Sequence, residues 1–247
     1  MLNKKELVRE YIKKHRYFSL SQIVRDAGFK RKLAKDYLSQ LKPEGAVFDA
    51  GYGYFSSVSE RFIFPHVERA DEIKRLIKKE FPEVDFLIWD TKIFAPFYHH
   101  TQTHHITFVE VEKEGLFSVH EKLYGKYRNV LKEMRTQDFF GRFDVRRDPI
   151  VVRGLLSRSP REDHQPSLVK VLVDMFVDLD KYKYIGRFDY FELWRDLIRS
   201  YRINIGALYN YSKRRRCAKV LFSELIDNKN SYAIDFCHIL REIGKGL

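Results

Sequence analysis

The chain has few of the features that stabilise secreted or membrane-embedded proteins. Its only cysteines are Cys217 and Cys237, too few for a disulfide framework or for a zinc site built from cysteine alone. The longest apolar stretches, such as residues 171–177, are broken by charge well short of the roughly 20 residues that a membrane-spanning helix needs. The first residues lead into an amphipathic helix rather than into a signal peptide. We therefore expect a cytoplasmic protein without a membrane segment.

Several catalytic motifs are absent as well. No Gly-Ser dipeptide occurs, so the turn that opens a nucleotidyltransferase site is missing, and no glycine-rich phosphate loop or strained nucleophile turn is present. The HExxH motif of a metalloprotease does not occur, because no histidine pair four residues apart has a glutamate after its first histidine. In contrast, 44% of the residues are hydrophobic and 15% aromatic, which is enough for the cores of one or two domains.

The net charge is strongly positive, at +12 for 247 residues. The first 62 residues carry 13 Lys or Arg against 7 Asp or Glu, about half of the excess in a quarter of the chain. A local positive field of this kind favours phosphate binding that weakens with salt. The plainer alternative is a solvated face, which is what most runs of charge are.

Two adjacent helices are predicted from residues 20 to 42. Ser19 precedes Leu20-Ser21-Gln22 in a capping-box pattern, and Gly28 follows the apolar positions, so the first helix should span Leu20 to Ala27. The second should run over residues 30–42 and end at a proline and a glycine. Its outer face carries Lys30, Arg31, Lys32, Lys35, Asp36, Ser39 and Gln40.

A hairpin is predicted next, because residues 46–48 and 54–55 are apolar and flank a turn with two glycines. Tyr52 should lie near its tip. This order is typical of a winged helix-turn-helix, whose second helix enters the major groove while the wing lies on the backbone. We therefore predict DNA contacts from Ser19, Lys30, Arg31, Lys32, Lys35, Ser39, Gln40 and Tyr52. A winged helix that docks protein is the alternative, and it predicts no salt-dependent DNA affinity.

The rest of the chain predicts an α+β fold. A linker around Pro65 suggests a winged helix-turn-helix domain over residues 1–65 and a second domain over 66–247. Strands are expected at residues 84–89, 105–112 and around 150–152, and helices at 71–81 and 117–134. After residue 167 the pattern is helical, which predicts a mixed α/β region followed by a C-terminal helical bundle.

Two clusters contain metal-ligand residue types. His99, His100, His104 and His105 adjoin Glu110, but neighbouring residues in an extended chain point to opposite sides, so we assign no metal. Asp90, Glu110 and Glu112 form an acidic constellation suited to magnesium. It supports the enzyme alternative, a metal-dependent nuclease or nucleotidyltransferase guided by the winged helix. The lysine spacing of a restriction-type nuclease is absent, so we predict no enzyme, no catalytic residue and no cofactor.

Two further features lie in the C-terminal half. Lys170 and Asp174 are one turn apart in a helix that is apolar almost all round, which predicts an internal ion pair or a polar contact site. Lys213-Arg214-Arg215-Arg216-Cys217-Ala218-Lys219 follows an aromatic-bearing helix. It is suited to DNA backbone, RNA or an acidic partner, or it only complements the dipole of the helix that it ends.

Four pieces occur in an order that resembles the AbiEi-type antitoxins and transcriptional regulators of type IV toxin-antitoxin (abortive infection) systems. They are the winged-helix start, residues 104–112 (HHITFVEVE), residues 166–174 (PSLVKVLVD), and Ile203-Asn204 followed by Leu208, Tyr211 and Arg214-Arg215. Val169 departs from the glutamate common at that position. The resemblance marks the residues Lys170, Asp174, Asn204, Tyr211, Arg214 and Arg215 as functional in the C-terminal domain.

The resemblance implies a DNA-binding repressor of its own operon and an antitoxin against a nucleotidyltransferase-like toxin encoded beside it. Its DNA partner would be double-stranded, with operator-like inverted repeats. Operator half-sites usually mirror protein symmetry, which favours a homodimer on DNA, although no coiled-coil signature is visible.

Overall fold

The computed structural model describes residues 3–98, 104–133, 148–228 and 234–245. Across these ranges helices are mixed with three small sheets, so the protein has an α+β fold, as the sequence predicts. The chain divides into two compact units. Unit 1 joins Met1–Phe62 to Trp194–Leu247, and unit 2 is Ile63–Leu193. No helix within the described ranges is long and apolar enough to cross a membrane.

The N-terminal part of unit 1 consists of α1 (Lys4–Lys14), β1 (Tyr17–Ser19), α2 (Leu20–Ala27), α3 (Arg31–Leu41), β2 (Phe48–Asp49) and β3 (Tyr54–Ser56). The capping box of α2 is confirmed, because Ser19 Oγ accepts from Gln22 N at 3.1 Å and Gln22 Oε1 accepts from Ser19 N at 2.6 Å. Gly28, at φ +67°, ends that helix as predicted. The strands form an antiparallel sheet in the order β1-β3-β2.

Unit 2 is built around a four-stranded sheet in the order β4-β5-β7-β6. β4 pairs antiparallel with β5, while β7 is parallel to both β5 and β6. Its elements are α4 (Glu68–Glu80), β4 (Phe86–Asp90), a 3₁₀ segment (Thr91–Phe97), β5 (Thr107–Val111), α5 (Leu116–Lys126), β6 (Val130–Lys132), β7 (Ile150–Gly154), β8 (Arg161–Glu162), β9 (Gln165–Pro166) and α6 (Leu168–Tyr182).

The two faces of this sheet differ in chemistry. One face is apolar: Ile88, Val109 and Val152 pack against buried residues of α4 and α5, among them Ile77 and Leu123. The opposite face carries the residues next to these along each strand, and charged side chains on that face contact α6. Because successive side chains of a strand point to opposite faces, the pairing of the strands determines which residues lie on the apolar face and which on the charged face.

The predicted helix over residues 117–134 is wrong in its second half. α5 ends at Lys126, and β6 follows as an edge strand. Asn129 takes φ +64°, which a continuing helix cannot accommodate, and its carbonyl accepts from Ile150 N at 3.0 Å. β6 pairs with β7, a strand about twenty residues farther along the chain. This pairing overrides the local helical pattern and cannot be recognised from it. Residue 134 lies outside the described residues.

The helical C-terminal part adds α7 (Arg187–Ser200), which begins in unit 2, and then α8 (Ile205–Arg214), α9 (Ala218–Asp227) and α10 (Ile234–Gly244). Of these helices, α10 packs against β1 on the second face of the β1-β3-β2 sheet. Phe18 of β1 packs into the core of α1, α2 and α3, whereas Tyr17 meets Phe236 of α10 at 5.3 Å between ring centroids. The Tyr17 hydroxyl also donates to Tyr201 O at 3.0 Å and accepts from Ile203 N at 2.9 Å.

Because of this packing, the two compact units differ from the two domains expected at residues 1–65 and 66–247. The first boundary falls at residues 62 and 63, close to the expected linker, but residues 194–247 belong with the N-terminal residues rather than with 66–193. The reason is physical: both faces of a small sheet need cover, and the C-terminal helices supply the second layer. No local pattern in the sequence encodes a contact such as that of Tyr17 with Ile203.

Candidate functional site

A continuous polar surface lies on the outer side of α3. Its positions are all exposed, and the four cations make no ion pair within the part of the chain that the structure describes. The Ser39 hydroxyl donates to Lys35 O at 3.0 Å, which leaves its oxygen able to accept. The predicted residues that share this surface, which we call the α3 face, are Lys30, Arg31, Lys32, Lys35, Ser39 and Gln40.

The start of α3 has an unusual charge pattern. Lys30 is the N-cap residue and makes no side-chain capping bond, while Arg31 and Lys32 occupy the first turn without any acidic residue. The first backbone N–H groups of a helix carry partial positive charge, so cations there are unfavourable and a bound anion is favourable. These three residues and the free N–H groups together form a strongly electropositive helix end.

Ser19 does not share that surface. Its side chain is buried, and its hydroxyl is engaged by the capping box of α2. The predicted DNA contact through Ser19 therefore has to be corrected. Ser19 caps the start of α2 and offers no exposed group to a phosphate. The capping box instead satisfies two backbone donors at the start of α2, those of Ser19 and Gln22.

The turn between β2 and β3 presents an aromatic ring to solvent. Tyr52 is 99% exposed, and Gly51 and Gly53 adopt φ +108° and +77° on either side of it. Tyr54 N donates to Gly51 O at 3.0 Å, which closes the turn. We call residues 50–53 the Tyr52 turn. It lies at a fixed place in unit 1, because Ile205 N donates to Ala50 O at 2.7 Å.

The net charge of the chain is confined to one unit. Residues 1–62 and 194–247 carry 24 Lys or Arg and 12 Asp or Glu, whereas residues 63–193 carry 22 of each. Unit 1 therefore accounts for the entire net charge of +12, and unit 2 is formally neutral. The segregation is complete because residues 194–247 belong to unit 1 together with residues 1–62.

The C-terminal residues that the resemblance marks are not all in one place. Asn204 is the N-cap of α8, where its side chain accepts from Ala207 N at 2.9 Å, and Tyr211 is buried. Arg214 is exposed and Arg215 half-buried at the end of the same helix. These four lie in unit 1, whereas Lys170 and Asp174 lie on α6 of unit 2.

Lys170 and Asp174 belong to a buried ionic cluster, and the predicted internal ion pair is confirmed at 2.5 Å between Lys170 Nζ and Asp174 Oδ2. Lys170 Nζ also lies 2.7 Å from Glu110 on β5. Arg153 on β7 donates to Glu110 at 2.8 Å and to Asp178 at 2.5 Å. All five side chains are at most 5% exposed.

Electrostatics hold this cluster in its ionised state. Burial alone would raise the pKa of Glu110, but Arg153 and Lys170 lower it to about 2. Burial opposes the charge of Arg153 as well, yet Asp178, Glu110 and Asp174 raise the pKa of that guanidinium well above its ordinary value. The cluster thus fastens α6 to the sheet by charge-assisted hydrogen bonds, in addition to the ring contact between Tyr182 and Phe108.

The sequence analysis did not identify Arg153 and Asp178 as members of this cluster. Asp178 follows Asp174 by one helical turn, so the i, i+4 spacing from Lys170 through Asp174 was a usable signal for a polar stripe on α6. Arg153 follows a run of apolar strand residues, and nothing local indicates that its side chain turns inward. The parallel pairing that sets Glu110 opposite Arg153 is a property of the sheet.

The acidic constellation is not brought together. Asp90 lies on the apolar side of the sheet, where Thr107 Oγ1 donates to it at 2.5 Å, and burial raises its pKa. Glu110 is neutralised in the ionic cluster on the other side. Glu112 lies beyond the end of β5 and accepts from Asp85 N at 2.9 Å. A two-carboxylate magnesium site needs its oxygens on one face, and these three side chains do not provide that.

Of the two described histidines of this cluster, His104 has a local side-chain partner, because its Nε2 lies 3.2 Å from Tyr182 O. His105 bonds through its backbone N, which donates to Asp148 at 2.9 Å, while its ring Nδ1 is buried without a hydrogen-bond partner among the described residues. His99 and His100 lie outside the described residues. Within the ranges that the structure covers, no three His, Cys, Asp or Glu side chains are grouped closely enough to hold a metal ion.

A family model described as a family of unknown function (DUF6577) matches residues 33–232. The chain belongs to DUF6577. The match begins inside α3 and extends past the end of α9, so the DUF6577 region includes unit 2 and most of the C-terminal part of unit 1. No curated protein matches the sequence.

Proposed function

We propose that this DUF6577 protein is a DNA-binding transcriptional regulator and that residues 1–62 form a winged helix-turn-helix. The order of helices and strands from α1 to β3 supports the assignment, as does the sheet order β1-β3-β2. In this proposal α2 and α3 are the two helices of the motif, and the Tyr52 turn is the wing.

The observation that carries the proposal is the location of charge. The whole excess of +12 lies in unit 1, and the α3 face is an exposed part of it, with no ion pair among the described residues, at the position of a recognition helix. Such a surface favours binding to duplex DNA, because each phosphate neutralised by Lys or Arg releases condensed counterions. A module that docks protein gains from a net positive charge only when its partner is acidic.

Within this proposal different residues of the α3 face bind the DNA backbone and the base edges. Lys30, Arg31 and Lys32 surround the helix N-terminus, the part that meets backbone phosphates most favourably. Ser39 and Gln40, about two to three turns farther along, have the hydrogen-bonding groups that read base edges in the major groove. Tyr52 extends from the wing to the sugar-phosphate backbone.

The regulatory role rests on the resemblance to type IV antitoxins. We propose that the DNA partner is an inverted repeat upstream of the protein's own reading frame, bound by two copies. We also propose that the protein counteracts a nucleotidyltransferase-like toxin from the neighbouring gene. Unit 2 is formally neutral and built around the buried ionic cluster, so it is the unit with no electrostatic reason to bind DNA.

The test is charge reversal on α3. The variant Arg31→Glu with Lys35→Glu should weaken binding to a labelled duplex from the upstream region by about tenfold or more, measured by fluorescence anisotropy at a fixed salt concentration. Lys79→Glu with Lys113→Glu is the matched control, because both lysines are exposed in unit 2 and the charge change is the same. Control affinity should stay within about twofold of the parent. Equal affinity of the α3 variant and the control would overturn the docking model.

A further inference from the structure

A second basic surface lies at the other end of α8. Lys213 is in the last turn of α8, Arg216 in the connection, and Lys219 in the first turn of α9, and all three are exposed. No ion pair in the described part of the chain engages any of them. We call these three residues the α8–α9 basic turn.

The helix dipole accounts for only part of this surface. Lys213 is well placed at a helix C-terminus, where cations are stabilising. Lys219 occupies the first turn of α9, where a cation is disfavoured and no acidic residue compensates it. Arg216 adopts φ +55°, a conformation in which glycine or asparagine is usual after a helix. Two of the three residues are therefore placed against local preference, as at the start of α3.

The α8–α9 basic turn is connected to the Tyr52 turn by a single helix. Ile205, the first residue of α8, donates to Ala50 O, and the ten residues of α8 span about 15 Å. Tyr209 lies along the way: Lys213 Nζ is 5.1 Å from the centre of its ring and 3.3 Å from its hydroxyl oxygen.

We propose that the α8–α9 basic turn is a second phosphate-binding surface, which contacts the backbone of the same duplex outside the segment that α3 and the Tyr52 turn engage. This inference rests on the proposed function. Duplex DNA is favoured over an acidic protein because the α8–α9 basic turn lies in the same unit as the α3 face and shares its sign of charge. A length of 15 Å corresponds to roughly four base pairs along a duplex at about 3.4 Å each.

The variant Lys213→Gln with Lys219→Gln tests the surface without altering the left-handed position of Arg216. Two duplexes serve as probes: one trimmed to the footprint of the parent's α3 and wing, and one extended by a helical turn of roughly ten base pairs on each side. The variant should bind the extended duplex about five- to twentyfold more weakly than the parent does, with a salt slope smaller by about one to two, and should bind the trimmed duplex within about twofold. Lys79→Gln with Lys113→Gln is the matched control.

The preference for the upstream sequence over a scrambled one should be unchanged in the variant, because phosphate contacts position a protein without reading bases. Unchanged affinity for the extended duplex, or equal losses on both lengths, would overturn the inference while leaving the proposed function intact. A variant that binds the extended duplex normally but loses binding of a polyglutamate peptide would assign the turn to an acidic protein and also overturn it. A parent that binds neither duplex would overturn the proposed function itself.

Discussion

Gly51 in the Tyr52 turn lies directly against Gly206 in the first turn of α8: a Cβ on Gly51 would be 2.4 Å from Gly206 N. Two glycines from distant parts of the sequence thus allow the two backbones to meet. With the hydrogen bond from Ile205 N to Ala50 O, the contact fixes the turn that carries Tyr52. In the proposed winged helix, the wing is consequently held by the C-terminal part of unit 1 rather than projecting freely.

Gly206→Ala should therefore weaken DNA binding several-fold while the protein stays folded. An added Cβ would lie 3.1 Å from Tyr52 N and 3.3 Å from Gly51 Cα, so the turn must shift by a few tenths of an ångström. Anisotropy titration measures the affinity, and circular dichroism checks the fold. Gly125→Ala in α5 is the control, since nothing lies within 4 Å of its added Cβ. Parent-like affinity of Gly206→Ala would show that the position of the wing is unimportant.

Tyr17→Phe should destabilise unit 1 by about 1–3 kcal/mol. The substitution removes the acceptor of Ile203 N, which then remains buried without its partner, and the donor to Tyr201 O. Urea unfolding followed by circular dichroism measures the loss. Tyr52→Phe is the control because Tyr52 is 99% exposed, and it should leave the unfolding free energy unchanged. Equal stability of the two variants would contradict the packing of the C-terminal helices on β1.

Lys170→Met should destabilise the protein by about 3–5 kcal/mol, because it leaves the carboxylates of Glu110 and Asp174 buried beside a single remaining cation. The measurement is urea unfolding at neutral pH. Lys181→Met, on the same helix but at a partly exposed side chain, is the matched control and should cost far less. A small loss for Lys170→Met would mean that the cluster is hydrated and does not fasten α6.

Glu110 makes stability depend on pH below the physiological range. Its pKa is about 2 in the folded protein against an ordinary 4.5, so the ionised form is the one that folding favours. Its contribution is fully present above about pH 4.5 and is lost as the pH falls toward 2. Glu110→Gln should be less stable at neutral pH and should lose less stability on acidification than the parent. Parallel pH profiles from urea unfolding at pH 2–5 would contradict this assignment.

The local chemistry of the sequence predicts local structure well. Ser19, Gln22 and Gly28 identified both ends of α2 because capping bonds and a positive φ are properties of a few neighbouring residues. The exposed face of α3 followed from helical periodicity in the same way. Asn129 shows where this approach fails: its strand-forming neighbours continue a helical pattern, and only pairing with β7 reveals the break.

Contacts between distant residues account for what the sequence did not predict. The ionic cluster needs Arg153 opposite Glu110, and unit 1 needs the C-terminal helices on Tyr17. Neither contact leaves a periodic or compositional trace. The same holds for the charge segregation, which was half visible in the first 62 residues and became complete only when residues 194–247 joined them.

The measurement that tests the central claim most directly is the salt dependence of binding to a duplex from just upstream of the reading frame, against a scrambled duplex of equal length. The account predicts tighter binding to the upstream duplex at every salt concentration, with an affinity that falls steeply and linearly on a double logarithmic plot. Weak binding that is equal for the two duplexes and lost with modest salt would contradict it, because unit 1 would then attract phosphate without recognising an operator.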